Sequence, residues 1–343
     1  MPFSIKKIQL GSIPQMLLAG IISGIFIYLF FKPAIANFIL GFLIGLQSYL
    51  YISSFETIVK PRLSKRNFFL ALITSTLAHI LLIILAVFVS LIIISEFRVI
   101  GVLRNFEEIL LSDAMIYGVT FGLTLSFIFN SLSMFEMLLG RHFLFKLFTG
   151  KYHTPFEEER VFMFLDVKGS TAVAEKLGHR EFLNMLNDFF YDVSIAVSGT
   201  KGEIYKYVGD EAIITWKMKK VVGKSMPLDC FFMIEKIVES KRANYIKRFG
   251  LVPEFKAGVH GGAVVTGEMG YIKKEIAFLG DVLNTTARIE ALCNQLEKSL
   301  LVSNSLLDKM SFQGKYQINP MGEHVLRGKQ KAVGISTVAL TGN

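Results

Sequence analysis

Three short stretches in the second half of this 343-residue chain carry residue types suited to phosphate and metal chemistry. The first is FLDVKGST, residues 164–171. An apolar run over 161–165 reads as a strand that ends at Asp166, and a small loop then opens a helix. A carboxylate at a strand end can hold a hard cation. Gly169 lets the backbone come close to a ligand, and amides at a helix start can meet phosphate oxygens, which makes Gly169, Ser170 and Thr171 candidate substrate contacts. The alternative for Ser170 or Thr171 is a plain helix cap. The second stretch is YKYVGDEA, residues 205–212, with Asp210 in the turn of a hairpin formed by 203–207 and 212–216. Alone, Gly209-Asp210 reads as an ordinary β-turn. Beside Asp166 on a neighbouring strand it becomes the second of two acids at adjacent strand ends, the usual holder of a pair of Mg²⁺ ions. The third is GDVLNTTARIE, residues 280–290, where Asn284 and Arg288 stand four apart on a predicted helix and project from one face. A guanidinium there suits the charge on a transferring phosphoryl group, and the alternative is a solvated polar face.

The elements that must position these residues follow from the hydrophobic pattern. Residues 170–198 read as a helix cut by a loop near Gly178, residues 227–249 as a helix, 255–267 as a long strand and 282–296 as a further helix, with shorter strands toward the end. Strand–helix–strand–strand–helix–strand is the ferredoxin-like order, so an α+β domain is expected over 157–343.

The first half of the chain has a different character. Hydrophobic residues make up 52% of the sequence and concentrate before about residue 150. Four stretches, 13–31, 34–51, 68–94 and 114–132, meet the length of about 20 apolar residues that a bilayer-crossing helix needs. The first lacks a small-residue cleavage site and runs through Lys32-Pro33 into the second, which reads as a helical hairpin and not a signal peptide. Lys6, Lys7, Lys60, Arg62, Lys65, Arg66, Arg141, Lys146 and Lys151 flank the stretches on one side. On the other, Arg98 and Arg104 mix with acids. That bias places both termini in the cytoplasm. It also assigns the net charge of +9 to loops at a lipid bilayer and not to nucleic acid. A four-helix transmembrane domain is thus expected over 1–132, with a connecting helix and linker over 133–156. Asn37, Gln47 and His79 lie inside the expected spans. They are read as helix-to-helix hydrogen bonds or as a ligand or proton site. The two cysteines, Cys230 and Cys293, form no metal-type spacing and are read as buried or free thiols.

In order and spacing the three motifs together resemble the class III nucleotidyl cyclases, the family that includes most adenylate and guanylate cyclases, over residues 158–335. The resemblance implies two Mg²⁺ or Mn²⁺ ions per site, held by Asp166, Asp210 and the backbone carbonyl of Val167. It makes Lys206 the adenine-reading lysine, where guanylate cyclases usually carry Glu. It makes Asn284 the ribose-positioning asparagine and Arg288 the arginine that stabilises the transition state. Near the end, HVLRGKQK is similar to the segment that brings a basic residue to the triphosphate, with Arg327 the best match and Lys329 close by. One position departs: seven residues before the asparagine the family usually carries Asp or Thr for the purine, and here stands Ala277.

The implied whole is a four-span transmembrane bundle joined to a ferredoxin-like cyclase domain that makes cyclic AMP and pyrophosphate from ATP. A bacterial inner membrane is the implied setting. In the family one subunit supplies the metal aspartates and the other the Lys, Asn and Arg. This chain carries both sets once, so a homodimer is implied. A diguanylate cyclase shares the look of VGDEA but lacks the Asn-x-x-x-Arg helix, and Lys206 opposes a guanylate cyclase. An inactive cyclase-like scaffold is opposed by the presence of every metal and transition-state residue. Few intramembrane charges oppose a transporter or channel.

Overall fold

The computed structural model describes residues 13–31, 35–58, 68–96, 127–128, 131, 152–272, 274–312, 314–327 and 331–341. The chain divides into two compact units, Met1–Leu139 and Gly140–Asn343.

In the first unit, continuous apolar runs form helices α1 (Ile13–Phe31), α2 (Ile35–Ile58) and α3 (Phe68–Glu96). Within α3 the segment Ile73–Ser90 is long and apolar enough to cross a membrane, and Met16–Leu29 and Phe38–Ile52 are shorter apolar helices. The fourth expected span, 114–132, lies outside the described residues except for 127, 128 and 131, as does the connecting segment up to 151. Helices α1 and α2 approach to backbone contact through Gly20 and Gly24 on one and Gly41 and Gly45 on the other. A Cβ on Gly41 would sit 2.5 Å from the Ser23 carbonyl oxygen, and one on Gly45 would sit 2.5 Å from that of Ala19. Small residues four apart are what lets apolar helices pack this closely. The Gln47 amide donates to Ser90 Oγ at 3.2 Å, joining α2 to α3, so Gln47 takes the helix-to-helix reading. His79 is buried and meets the Phe55 ring edge-on at 5.2 Å. The side chain of Asn37 lies outside the described residues.

The second unit is built on an eight-stranded sheet. Its strands are β1 (Phe156–Val167), β2 (Glu203–Val208), β3 (Glu211–Lys217), β4 (Phe255–Met269), β5 (Glu275–Leu279), β6 (Leu300–Ser303), β7 (Tyr316–His324) and β8 (Val333–Leu340). They lie in the order β2-β3-β1-β4-β6-β8-β7, and β5 pairs β4 off that path. The first four strands thus have the ferredoxin-like arrangement, each antiparallel to its neighbour. β1 lies between β3 and β4 and is buried on both faces from Arg160 to Leu165, which is why its sequence reads as one unbroken apolar run.

The unit also holds helices α4 (Ser170–Leu177), α5 (His179–Gly199), α6 (Met226–Ser240), α7 (Arg242–Phe249) and α8 (Asp281–Gln295), beside single-turn helices at Met218–Val221 and Asn304–Leu307. The interruption read at Gly178 is present: its φ of 77° ends α4 before α5 begins. The single helix read over 227–249 is two, divided at Lys241. Val161, Met163 and Leu165 of β1 share one core with Met185, Phe189 and Val193 of α5 and Phe231 and Ile234 of α6. The alternate residues Phe162 and Phe164 face the other way and meet Phe278 of β5 and Val282 of α8. Both cysteines are buried and unpaired with each other, and burial pushes their thiols up to about 12.

Candidate active site

Asp166 stands next to last in β1, and the antiparallel register pairs it with Glu211 of β3 and Lys256 of β4. Asp210 precedes Glu211 by one residue, so the two aspartates lie at adjacent strand ends. Two glycines shape their turns. Gly169, with φ 62°, turns the chain from β1 into α4, and Gly209, with φ 63°, turns β2 into β3. Only glycine adopts that left-handed conformation without strain. Gly169 is also the cap position of α4, so Ser170 and Thr171 lie inside the first turn and neither is the cap.

The electrostatics of this corner are set by burial and by crowding of like charge. Burial pushes the Asp166 carboxyl up to about 6. Lys256 pulls it down, while Asp210 and Glu290 push it further up. Burial likewise pushes Glu211 up to about 7, reinforced by Glu290, Asp166 and Asp210 and opposed by Lys256. The Lys256 ammonium lies 3.1 Å from Asp166 Oδ2 and in direct contact with Glu290, a buried residue of α8. Among the described residues no three His, Cys, Asp or Glu side chains form a metal cage. Two carboxylates and a main-chain carbonyl, all hard oxygen donors, nevertheless fit Mg²⁺, which keeps waters and takes ligands from substrate phosphates.

Helix α8 carries the other candidates on its far side. Its inward face is Val282, Thr285, Thr286, Ile289, Glu290 and Cys293. Asn284 is exposed and Arg288 half-buried. Arg288 precedes Glu290 by two positions, which at about 100° per residue puts them on opposite sides of the helix. So α8 ties the Asp166 corner to its inner face through Glu290 and Lys256 and turns Asn284 and Arg288 outward. The helix lies unusually close to the sheet, since a Cβ on Gly258 of β4 would fall 2.3 Å from the Glu290 backbone nitrogen.

Lys206 sits just past an irregularity in β2 between Ile204 and Lys206. The irregularity turns two successive residues toward β5. Tyr205 meets the Phe278 ring at 4.8 Å, and Lys206 Nζ lies 2.8 Å from Glu275 Oε2. Tyr207 then packs on Phe190 of α5 at 4.5 Å, on the other face. Ala277, opposite Gly267, is buried. Arg327 is exposed, next to Leu326, which is buried against Ile289 and Cys293 of α8. Lys329 lies outside the described residues. Val167 is buried and pairs with Phe255.

The Adenylate and Guanylate cyclase catalytic domain family matches residues 153–340. The chain belongs to this family. Among curated cyclases it is 37% identical over 203 residues to Adenylate cyclase 2 of Rhizobium meliloti (strain 1021), covering 59% of this chain and 56% of that protein. It is 25% identical over 187 residues to Adenylate cyclase of Anabaena cylindrica, covering 51% and 36%. The chain therefore spans about half or less of the length of these relatives. Among solved structures, that of a bacterial light-regulated adenylyl cyclase shares the cyclase fold with a TM-score of 0.55 at 21% identity, over 67% of each chain.

Sequence reasoning missed Glu211, Lys256, Glu275 and Glu290. Glu211 and Glu290 lie within the motifs but have no role until the strand register sets Glu211 opposite Asp166 and the packing of α8 brings Glu290 to Lys256. The alternation in EIAFL was the signal for β5, and hence for Glu275.

Proposed function

We propose that this cyclase is a membrane-anchored adenylate cyclase that converts ATP to 3′,5′-cyclic AMP and pyrophosphate at a site shared by two copies of the chain. The observation that carries the reading is the register that sets Asp166 opposite Glu211, one residue from Asp210. Asp166, Asp210 and the Val167 carbonyl would hold two Mg²⁺ or Mn²⁺ ions. Bound there, the ions supply a lowered pKa for the ribose 3′-hydroxyl and neutralise charge on the triphosphate. Arg288 meets the charge that builds on the α-phosphate as the 3′-oxygen attacks, and Asn284 fixes the ribose. Arg327 and Lys329, with the main chain from Gly169 through Ser170 to Thr171, receive the phosphates. Lys206, a donor, reads adenine. Catalysis is then mostly positioning.

The outward turn of Asn284 and Arg288 on α8 supports a homodimer. The two halves of the site face different ways in one chain and meet when a twofold partner supplies the complement. The apolar side chains that α1 and α3 expose, among them Leu18, Ile22, Leu29, Leu77, Leu81 and Phe88, support a lipid-facing bundle over 1–132. In this reading residues 133–156 connect that bundle to the catalytic domain 157–343 on the cytoplasmic side of a bacterial inner membrane.

The test is an assay of the purified full-length chain with Mn²⁺ or Mg²⁺, offered ATP and GTP separately, beside Asp210→Ala. Cyclic AMP from ATP, reduced at least a hundredfold by the substitution while circular dichroism is unchanged, is the expected result. Absence of product from both nucleotides would leave a silent cyclase-like signalling protein. Comparable cyclic GMP would mean that the purine pocket is lax, the outcome Ala277 by itself favours.

A further inference from the structure

We infer that Glu275 supplies the purine contact that Ala277 cannot, accepting a hydrogen bond from the exocyclic amine of adenine beside Lys206. The inference rests on the adenylate cyclase reading and specifies how that site chooses its base. Glu275 and Ala277 are two apart on β5, so their side chains leave the strand on the same face. Ala277 has no donor or acceptor to offer. Glu275 places its carboxylate 2.8 Å from the lysine assigned to the base, across from β2. That neighbourhood is held by more than the ion pair. The Phe278 main-chain N–H donates to Tyr205 Oη at 3.4 Å, and the Tyr205 and Phe278 rings meet edge to face. The strand irregularity at Ile204/Lys206 turns Tyr205 and Lys206 together toward β5.

The pair has the polarity that adenine needs. Lysine has donors only and an ionised carboxylate has acceptors only. The pairing edge of adenine offers an acceptor at N1 next to a donor at N6, so Lys206 and Glu275 satisfy it together. Guanine in the same pose would set O6 against the carboxylate and N1–H against the ammonium, two mismatches at once. Sites that hydrogen-bond a substrate group reject the analogue that lacks it, because their own polar group is left unpaired. Glu275 therefore replaces the usual residue from one pleat further back on the same strand.

The experiment compares three nucleotides on the full-length chain: ATP, GTP and purine riboside triphosphate, which is ATP without the 6-amino group. The wild type should use ATP about 10- to 100-fold better than the purine analogue in kcat/KM, the range of a hydrogen bond to a charged group. In Glu275→Ala that ratio should fall to about one, and a circular dichroism spectrum matching the wild type shows that the variant is folded. Glu275→Gln, which keeps an amide oxygen as acceptor, should retain an intermediate ratio. If Glu275 only steadies Lys206, ATP and the analogue will fall together and their ratio will hold, which overturns the inference and leaves the adenylate cyclase reading intact. A wild type that cyclises none of the three overturns both.

Discussion

Lys256 decides the charge balance of the candidate site. Its ammonium contacts Asp166 and Glu290 and is almost wholly buried between them. Removing one partner from a buried ion pair leaves an uncompensated charge and costs about 3–5 kcal/mol. Lys256→Met should therefore lower stability by about 3 kcal/mol, read by denaturant unfolding of the full chain in chelator. A change under 1 kcal/mol would mean the carboxylates are already neutral. A second residue, Asp229 at the start of α6, reports on pH. Burial pushes its carboxyl up, but hydrogen bonds from Lys315, Tyr316 and Ser225 outweigh this and hold it below its ordinary value. A depressed folded-state pKa stabilises the fold above the unfolded value and loses that contribution as pH falls through the lowered one. Asp229→Asn should thus cost about 1 kcal/mol near neutral pH, allowing for the exposure of Lys315, and almost nothing in strong acid. An equal loss at both extremes would refute the electrostatic account.

The elements bring these residues together, and here the sequence was legible in part. The unbroken apolar run of β1, the hairpin around Gly209-Asp210 and the 15-residue strand β4 all stand out in the hydrophobic pattern, because burial on one or both faces leaves a period. The irregularity in β2 leaves no such mark. It adds one residue to one strand, and only the pairing partner shows that Tyr205 and Lys206 turn the same way. For the same reason Lys256 and Glu290, 34 residues apart, were unreadable as partners. Gly258 is where element packing is most exposed to substitution. A side chain there would strike the Glu290 backbone, so α8 must move outward. Gly258→Val should cost about 1–3 kcal/mol and lower kcat more than it raises KM, because Asn284 and Arg288 ride on the displaced helix. Unchanged kinetics would show that α8 tolerates the shift.

At the scale of the whole molecule, the outward turn of Arg288 on α8 is the observation that the proposed homodimer explains. On the proposed reading, Asp210→Ala and Arg288→Ala should each disable both sites of the homodimer, while a mixed dimer should keep one site intact. Equal co-expression should restore about one quarter of wild-type cyclase activity, since half the dimers are mixed and each has one good site of two. No recovery, with both chains present in one assembly, would place the whole site within a single chain. Within the apolar unit, the close glycine packing of α1 on α2 is made between helices of one chain.

Lys256 has one more consequence. In small metal-dependent domains the ion is a structural component, and stripping it unfolds the chain. Here a resident ammonium already stands among the carboxylates, so the sheet can close before any cation arrives. Loss of Mg²⁺ should therefore stop turnover while the melting temperature barely moves, and restored Mg²⁺ should return activity without a refolding delay. On the proposed two-metal reading, the site can thus be starved of metal and recover with the fold kept throughout.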